Sequence, residues 1–192
     1  TPEIRAKALA AVQGYRLGAM YQPPSLAEAA DGTKGTILLP GVQGGAQWEH
    51  GAADPETGIM YVSSATQPSL VALEKSAESD MDYVAVQQRG VPTVDGLPIV
   101  KPPYGRITAI DLTTGEIAWQ VANGDTPPAI RDHPLLKGVT LPRTGSRSRA
   151  GLLVTRTLLF AGEGWGGQAM FRALDKATGA TLWETSIPAV QT

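Results

Sequence analysis

The chain has 192 residues, 42% of them hydrophobic and 18% charged, a globular composition that excludes a disordered or collagen-like chain. A formal net charge of -2 with no basic block argues against nucleic acid as a partner. The absence of cysteine excludes a disulfide scaffold, a thiolate metal site and a cysteine nucleophile.

Thr1-Pro2-Glu3 reads as a helix start, with a hydroxyl at the N-cap, proline at the first helical position and an acid in the first turn. Ile4, Ala8, Ala11 and Tyr15 follow at helical spacing, and Gly14 is a stop signal. Pro23-Pro24 and Asp31-Gly32 mark a linker, and Thr36–Leu39 is a short β-type run. From there the pattern predicts strands only. Gln47–Ala53 is a weak strand, and Ile59–Ser63 is a second one after the turn Asp54-Pro55-Glu56-Thr57-Gly58. Ser64–Pro103 reads as long and irregular, with five prolines. Arg106–Asp111 and Glu116–Val121 form a hairpin, Asn123–Ser148 is a second irregular stretch, and Leu152–Thr155 and Leu158–Gly162 follow. A last hairpin joins Phe171–Asp175 to Ala180–Thr185. The longest apolar runs are far too short to span a bilayer, and no signal peptide is visible. The first residue is Thr1 rather than a methionine, which fits a processed product or a fragment.

An internal repeat sets the architecture. Ala109-Ile-Asp111-Leu-Thr-Thr114-Gly115-Glu-Ile-Ala-Trp119 returns as Ala173-Leu-Asp175-Lys-Ala-Thr178-Gly179-Ala-Thr-Leu-Trp183. The glycine supplies the positive φ of a tight hairpin, and the aspartate can accept hydrogen bonds from the amides of its own turn. The tryptophan is a large apolar plate on an outer strand, which needs a neighbouring sheet to receive it.

The pair resembles the tryptophan-docking motif of the quinoprotein alcohol and sugar dehydrogenases, which use pyrroloquinoline quinone (PQQ). Gly35-Thr-Ile-Leu-Leu-Pro-Gly41, Gly44-Gly45-Ala-Gln-Trp48, Asp54-Pro55 and Tyr104-Gly105-Arg106 extend the match, as does Asp132-His133-Pro134 before Gly151-Leu-Leu-Val-Thr. They are similar to the membrane-associated glucose and quinate dehydrogenase branch. Glu116 and Ala180 stand where that family often has lysine. The resemblance implies an all-β fold: a segment of an eight-bladed β-propeller, preceded by a short helix. Residues 1–35 are then helix and linker. Residues 36–122 are the outer strand of a preceding blade plus one four-stranded blade with a long insertion. Residues 123–192 are an interblade loop and a second four-stranded blade. The implied partners are the remaining blades or other copies of the chain.

By resemblance the full enzyme oxidises a sugar, polyol or alcohol hydroxyl in the periplasm and passes electrons to a quinone. Membrane association would come through a part not present here. PQQ and calcium are the implied cofactors, and the family's catalytic base and calcium ligands map to no position of this chain. The resemblance places Gly45, Gln47 and Trp48 at the cofactor, with asparagine common where Gln47 stands. Trp48 also reads as an ordinary buried tryptophan. Trp119 and Trp183 read as structural, and Trp165 either lines the propeller face or sits in a plain loop. His50 and His133 lack a third ligand pattern and make no metal site. Arg147 and Arg149 read as a solvated turn. The glycine-rich run from Gly162 to Gly167 lacks the Lys-Ser/Thr pair of a phosphate loop. The rival function is a non-catalytic propeller of PQQ-like repeats that scaffolds protein assembly. The segment from Gly44 to Trp48 and the two long irregular stretches favour the enzyme.

Overall fold

A computed structural model describes residues 1–18, 21–86, 90–164 and 166–190, and the side chains of 47–50 and 86 lie outside that description. It has two compact units, residues 1–44 with 67–100 and residues 45–66 with 101–192.

The first unit opens with helix α1 (Pro2–Ala11), capped by Thr1, whose Oγ1 accepts from Ile4 N–H at 3.3 Å. Strands β1 (Ser25–Leu26) and β2 (Thr36–Leu38) come next, and β3 (Ala46–Asp54) and β4 (Ile59–Ala65) belong to the second unit. β5 (Ser69–Glu74) then pairs parallel with β1 and antiparallel with β2 and β6 (Val84–Val86). Leu70, Val71 and Ala72 on β5 form its buried centre. A two-residue hairpin joins β7 (Thr93–Val94) to β8 (Leu97–Pro98), with Asp95 and Gly96 both at positive φ. The stretch 64–103, expected to be irregular, thus contains a central strand, Ser69–Glu74, held by pairing with β1 and β2 from far earlier in the chain.

The second unit is two four-stranded antiparallel sheets. Sheet A has the order β10-β9-β4-β3, where β9 is Gly105–Asp111 and β10 is Ile117–Ala122. Between the sheets the chain makes a short helix, α2 (Pro128–Arg131), and a 3-10 turn, Pro134–Leu136. The expectation of strands alone after Leu39 is corrected here. Pro128 and Pro134 each start a helical turn at a position where the lost amide is not missed. His133 caps the second, its Nδ1 accepting from Leu135 N–H at 3.2 Å. Sheet B has the order β11-β12-β13-β14, with β11 at Ala150–Val154, β12 at Leu158–Glu163, β13 at Met170–Asp175 and β14 at Thr181–Ser186.

The two sheets repeat each other in register. Trp119 faces Ala109 and Trp183 faces Ala173. The same one-residue irregularity precedes each tryptophan, between Ile117 and Trp119 and again opposite Ala173 and Leu174. The repeated aspartates act as expected: Asp111 Oδ1 accepts from Thr113 N–H at 2.7 Å, and Asp175 Oδ1 accepts from Ala177 and Thr178 N–H at 2.8 and 2.9 Å.

One face of sheet A packs on one face of sheet B. The buried cluster is Tyr61, Ile107 and Ala109 against Leu159, Ala161 and Leu174, flanked by Ile59, Trp119, Val121, Leu152 and Val154. Alternation along each strand assigns these side chains to the facing surfaces. Together these are two stacked propeller blades.

Candidate functional site

β3 is the edge strand of sheet A, with β11 packing alongside it. Gly45 leads into β3, and its carbonyl accepts from Ala65 N–H at 2.8 Å. Ala46 pairs with Ser64, but the next paired residue is Gly51, opposite Val62. The register of β3 on β4 therefore shifts between Ala46 and Gly51, an irregularity within a strand that runs on to Asp54. Gly45 is half-buried at the start of this segment. The side chains of Gln47, Trp48 and His50 lie outside the described residues, as does Trp165.

The same end of the two sheets carries a buried polar cluster that the sequence reading missed. Glu163, at the end of β12, has a side chain only 1% exposed. Its Oε1 accepts from Arg172 Nη1 at 2.5 Å, and its Oε2 accepts from Ser146 Oγ at 3.1 Å and Gln168 N–H at 2.9 Å. Arg172 Nε donates to Glu184 at 3.0 Å, and Glu184 also meets Arg143, which pairs with Asp125 at 2.8 Å. Burial works to lower the Arg172 pKa, but the Glu163 and Glu184 carboxylates outweigh it and raise it. Arg172 Nη2 and Ser148 Oγ are buried with no hydrogen-bond partner among the described residues.

The cluster is sealed by a close crossing. A Cβ on Gly105 would lie 1.9 Å from the Ser146 carbonyl, and one on Gly145 would lie 2.2 Å from the Gly105 carbonyl. Ser146 N–H donates to Asn123 O, and Asn123 N–H to Gly105 O, each at 2.9 Å. Ser146 and Ser148 are buried while Arg147 and Arg149 point outward, so the arginines lie on the solvated side, as the sequence reading had them. The only advance signal for Glu163 was an acid closing an apolar strand among glycines.

At the opposite end of the sheets, the two blades are latched through Lys176. Its carbonyl accepts from Trp119 Nε1 at 3.1 Å and from Tyr61 Oη at 3.0 Å, and its ammonium donates to Asp54 at 2.6 Å. Asp54 Oδ2 also accepts from Thr57 Oγ1. The Lys176 ammonium first, and the Thr57 hydroxyl second, hold the Asp54 carboxyl down to about 2. Burial pushes the Tyr61 phenol up, with the Asp54 and Asp175 carboxylates adding to it, so it stays a donor.

The family model for the glucose/ethanol/alcohol dehydrogenase β-propeller domain of PQQ enzymes matches residues 1–192. The chain belongs to this PQQ β-propeller family. Within the family it is 28% identical over 185 residues to the quinate/shikimate dehydrogenase (quinone) of Acinetobacter baylyi, covering 83% of this chain and 22% of that protein. It is 26% identical over 203 residues to the quinoprotein glucose dehydrogenase of Gluconobacter oxydans, covering 88% of this chain and 23% of that protein. The chain thus spans under a quarter of the length of these PQQ-family relatives. The crystal structure of the quinohemoprotein alcohol dehydrogenase from Comamonas testosteroni has the same propeller fold, with a TM-score of 0.52 at 19% identity over 81% of this chain and 21% of that one.

PQQ is an orthoquinone with three carboxylates, so it asks for amide or cationic donors and flat partners. Among the described residues no group of three or more His, Cys, Asp or Glu is placed to hold a metal ion.

Proposed function

We propose that the chain is one part of a quinoprotein dehydrogenase that oxidises a sugar, polyol or alcohol hydroxyl and delivers the electrons to a quinone. The family match over residues 1–192 carries this reading. Relatives named for quinate and glucose favour a polyhydroxylated substrate. PQQ supplies the two-electron acceptor when bound. This chain's share, in this reading, is to present donors to it from Gly45, Gln47 and Trp48, at the register shift near the start of β3. The buried Glu163–Arg172 pair and the crossing at Gly105 fix the strand ends beside it, so that rim need not reorganise on binding.

The catalytic base and the calcium ligands, in this reading, come from other blades of the full enzyme, which works in the periplasm and attaches to the membrane through another segment. β2 is read as the outer strand of the blade before sheet A. The test uses the longer protein that contains this chain. PQQ titration with calcium present, followed by tryptophan quenching, should give saturable binding. Gln47→Ala and Trp48→Ala should each weaken it roughly tenfold, about 1.4 kcal/mol, with circular dichroism unchanged. Binding that ignores both substitutions would remove this segment from the cofactor site, and no binding or dye-linked turnover at all would favour the scaffold role.

A further inference from the structure

Around Glu163 the backbone is drawn in tightly. A Cβ on Gly167 would lie 2.6 Å from Glu163 Oε2 and 2.7 Å from Ser148 Cβ, so the carboxylate and Ser148 border the same small space. A Cβ on Gly166 would lie 2.4 Å from the Arg147 carbonyl, and one on Gly124 2.3 Å from Ser146 Oγ. Segment 146–148 therefore presses on the turn after β12, with glycine where the two backbones meet. This seam lies between two blades that are both part of the chain.

Its polar groups do not balance among themselves. An ionised carboxylate offers about four acceptor sites. Glu163 fills three of them, with Arg172 Nη1 on Oε1 and with Ser146 Oγ and Gln168 N–H on Oε2. Among the described residues, that leaves one site on Oε1. Arg172 donates Nε to Glu184 and Nη1 to Glu163, while its Nη2 meets no acceptor among the described residues. Ser148 Oγ meets no partner among them either. Arg172 and Ser148 are 2% and 7% exposed, so bulk solvent does not serve them. One open group can only donate, one can only accept, and the hydroxyl can do either. The group that completes the set must both accept and donate, and it must be small. A halide ion only accepts and an ammonium only donates. The row Asp125, Arg143, Glu184, Arg172, Glu163 alternates in sign with three acids to two arginines, so it also repels an anion.

We propose that the seam binds one internal water molecule, which accepts from Arg172 Nη2, donates to Glu163 Oε1 and shares a hydrogen bond with Ser148 Oγ. Three such bonds are the usual complement of a buried water, and a water so held is costly to remove. The bound water makes Ser148 a second strut between segment 146–148 and sheet B, beside the direct bond from Ser146 to Glu163. The Ser148 hydroxyl then stabilises the fold, although no described side chain touches it with a hydrogen bond. The proposal is independent of the redox reading.

The test is a crystal structure of the longer protein that contains this chain, at a resolution that shows ordered solvent, paired with thermal melts of Ser148→Ala. The expected density is a single water peak within about 3.2 Å of Arg172 Nη2, Glu163 Oε1 and Ser148 Oγ. The melt adds a sign. A hydroxyl buried without a partner weakens the fold, so deleting it would raise the Tm. A hydroxyl that holds a water strengthens it, so Ser148→Ala should lower the Tm and the water peak should weaken or vanish in the variant. A raised Tm, no water peak in the wild type, or an ion or protein atom in that position would each overturn the proposal.

Discussion

Asp54 shows how one side chain ties chemistry to stability. Its carboxylate accepts from Lys176 Nζ, Thr57 Oγ1 and Glu56 N–H, and its pKa falls from the ordinary 3.8 to about 2. A group with a depressed folded pKa stabilises the fold fully above its unfolded value and loses that contribution as the pH drops toward the folded one. Acid unfolding of the wild type should therefore steepen between about pH 4 and pH 2. Asp54→Asn should flatten that limb in a chemical-denaturation series at stepped pH, and an unchanged limb would show that Asp54 does not control it. Glu163 is a different case. It is fully buried, so replacing it strands Arg172 without its main counter-charge, and Glu163→Leu should cost about 3–5 kcal/mol in urea melts. Arg172→Met with Glu163→Leu removes both charges and should recover a large part of that loss.

The hairpins Gly105–Ala122 and Met170–Ser186 were legible in the sequence because every requirement of the turn is written locally. Aspartate accepts from the turn amides, glycine takes the positive φ, and tryptophan stands four residues on. Strand β5 was hidden because its partners β1 and β2 are separated from it by the whole β3–β4 hairpin. The Glu163 cluster was hidden for a related reason: its partners come from residues 146, 168 and 172, and nothing in the spacing announces their meeting. The candidate cofactor strand at Gly45 was legible only as a resemblance, while its register shift needed coordinates. The repeat makes its own prediction at this scale. Trp119 is packed and hydrogen-bonded, whereas its equivalent Trp183 is half-exposed. Trp119→Ala should cost about 3–5 kcal/mol, and Trp183→Ala less than about 1 kcal/mol. Equal losses from the two would show that the sequence repeat, not the packing, sets the energy.

At the scale of the molecule, a dehydrogenase needs more than a place for its quinone. Taking two electrons from a hydroxyl also requires a group that accepts the hydroxyl proton, and each such contribution is worth roughly 10²–10⁴-fold in rate. The chain spans under a quarter of the length of the quinate and glucose dehydrogenases it resembles, and Gly45, Gln47 and Trp48 are proposed as its contribution to a cofactor site. Its well-placed carboxylates are already engaged. Asp54 is tied to Lys176 and held ionised down to about 2, which makes it a poor base near neutral pH. Glu163 is buried against Arg172 with its oxygens taken. Asp111 and Asp175 are committed to their turns. The expected outcome for the purified 192-residue chain with PQQ and calcium is therefore no dye-linked turnover of glucose, quinate or ethanol. The longer protein, assayed in parallel, should turn over at least one polyhydroxylated substrate. Adding Asp54→Asn to that longer protein should leave kcat near neutral pH within about twofold, because a latch between blades is not a proton acceptor. Turnover by the short chain, or its loss on Asp54→Asn with folding intact, would mean that a base lies among these residues after all.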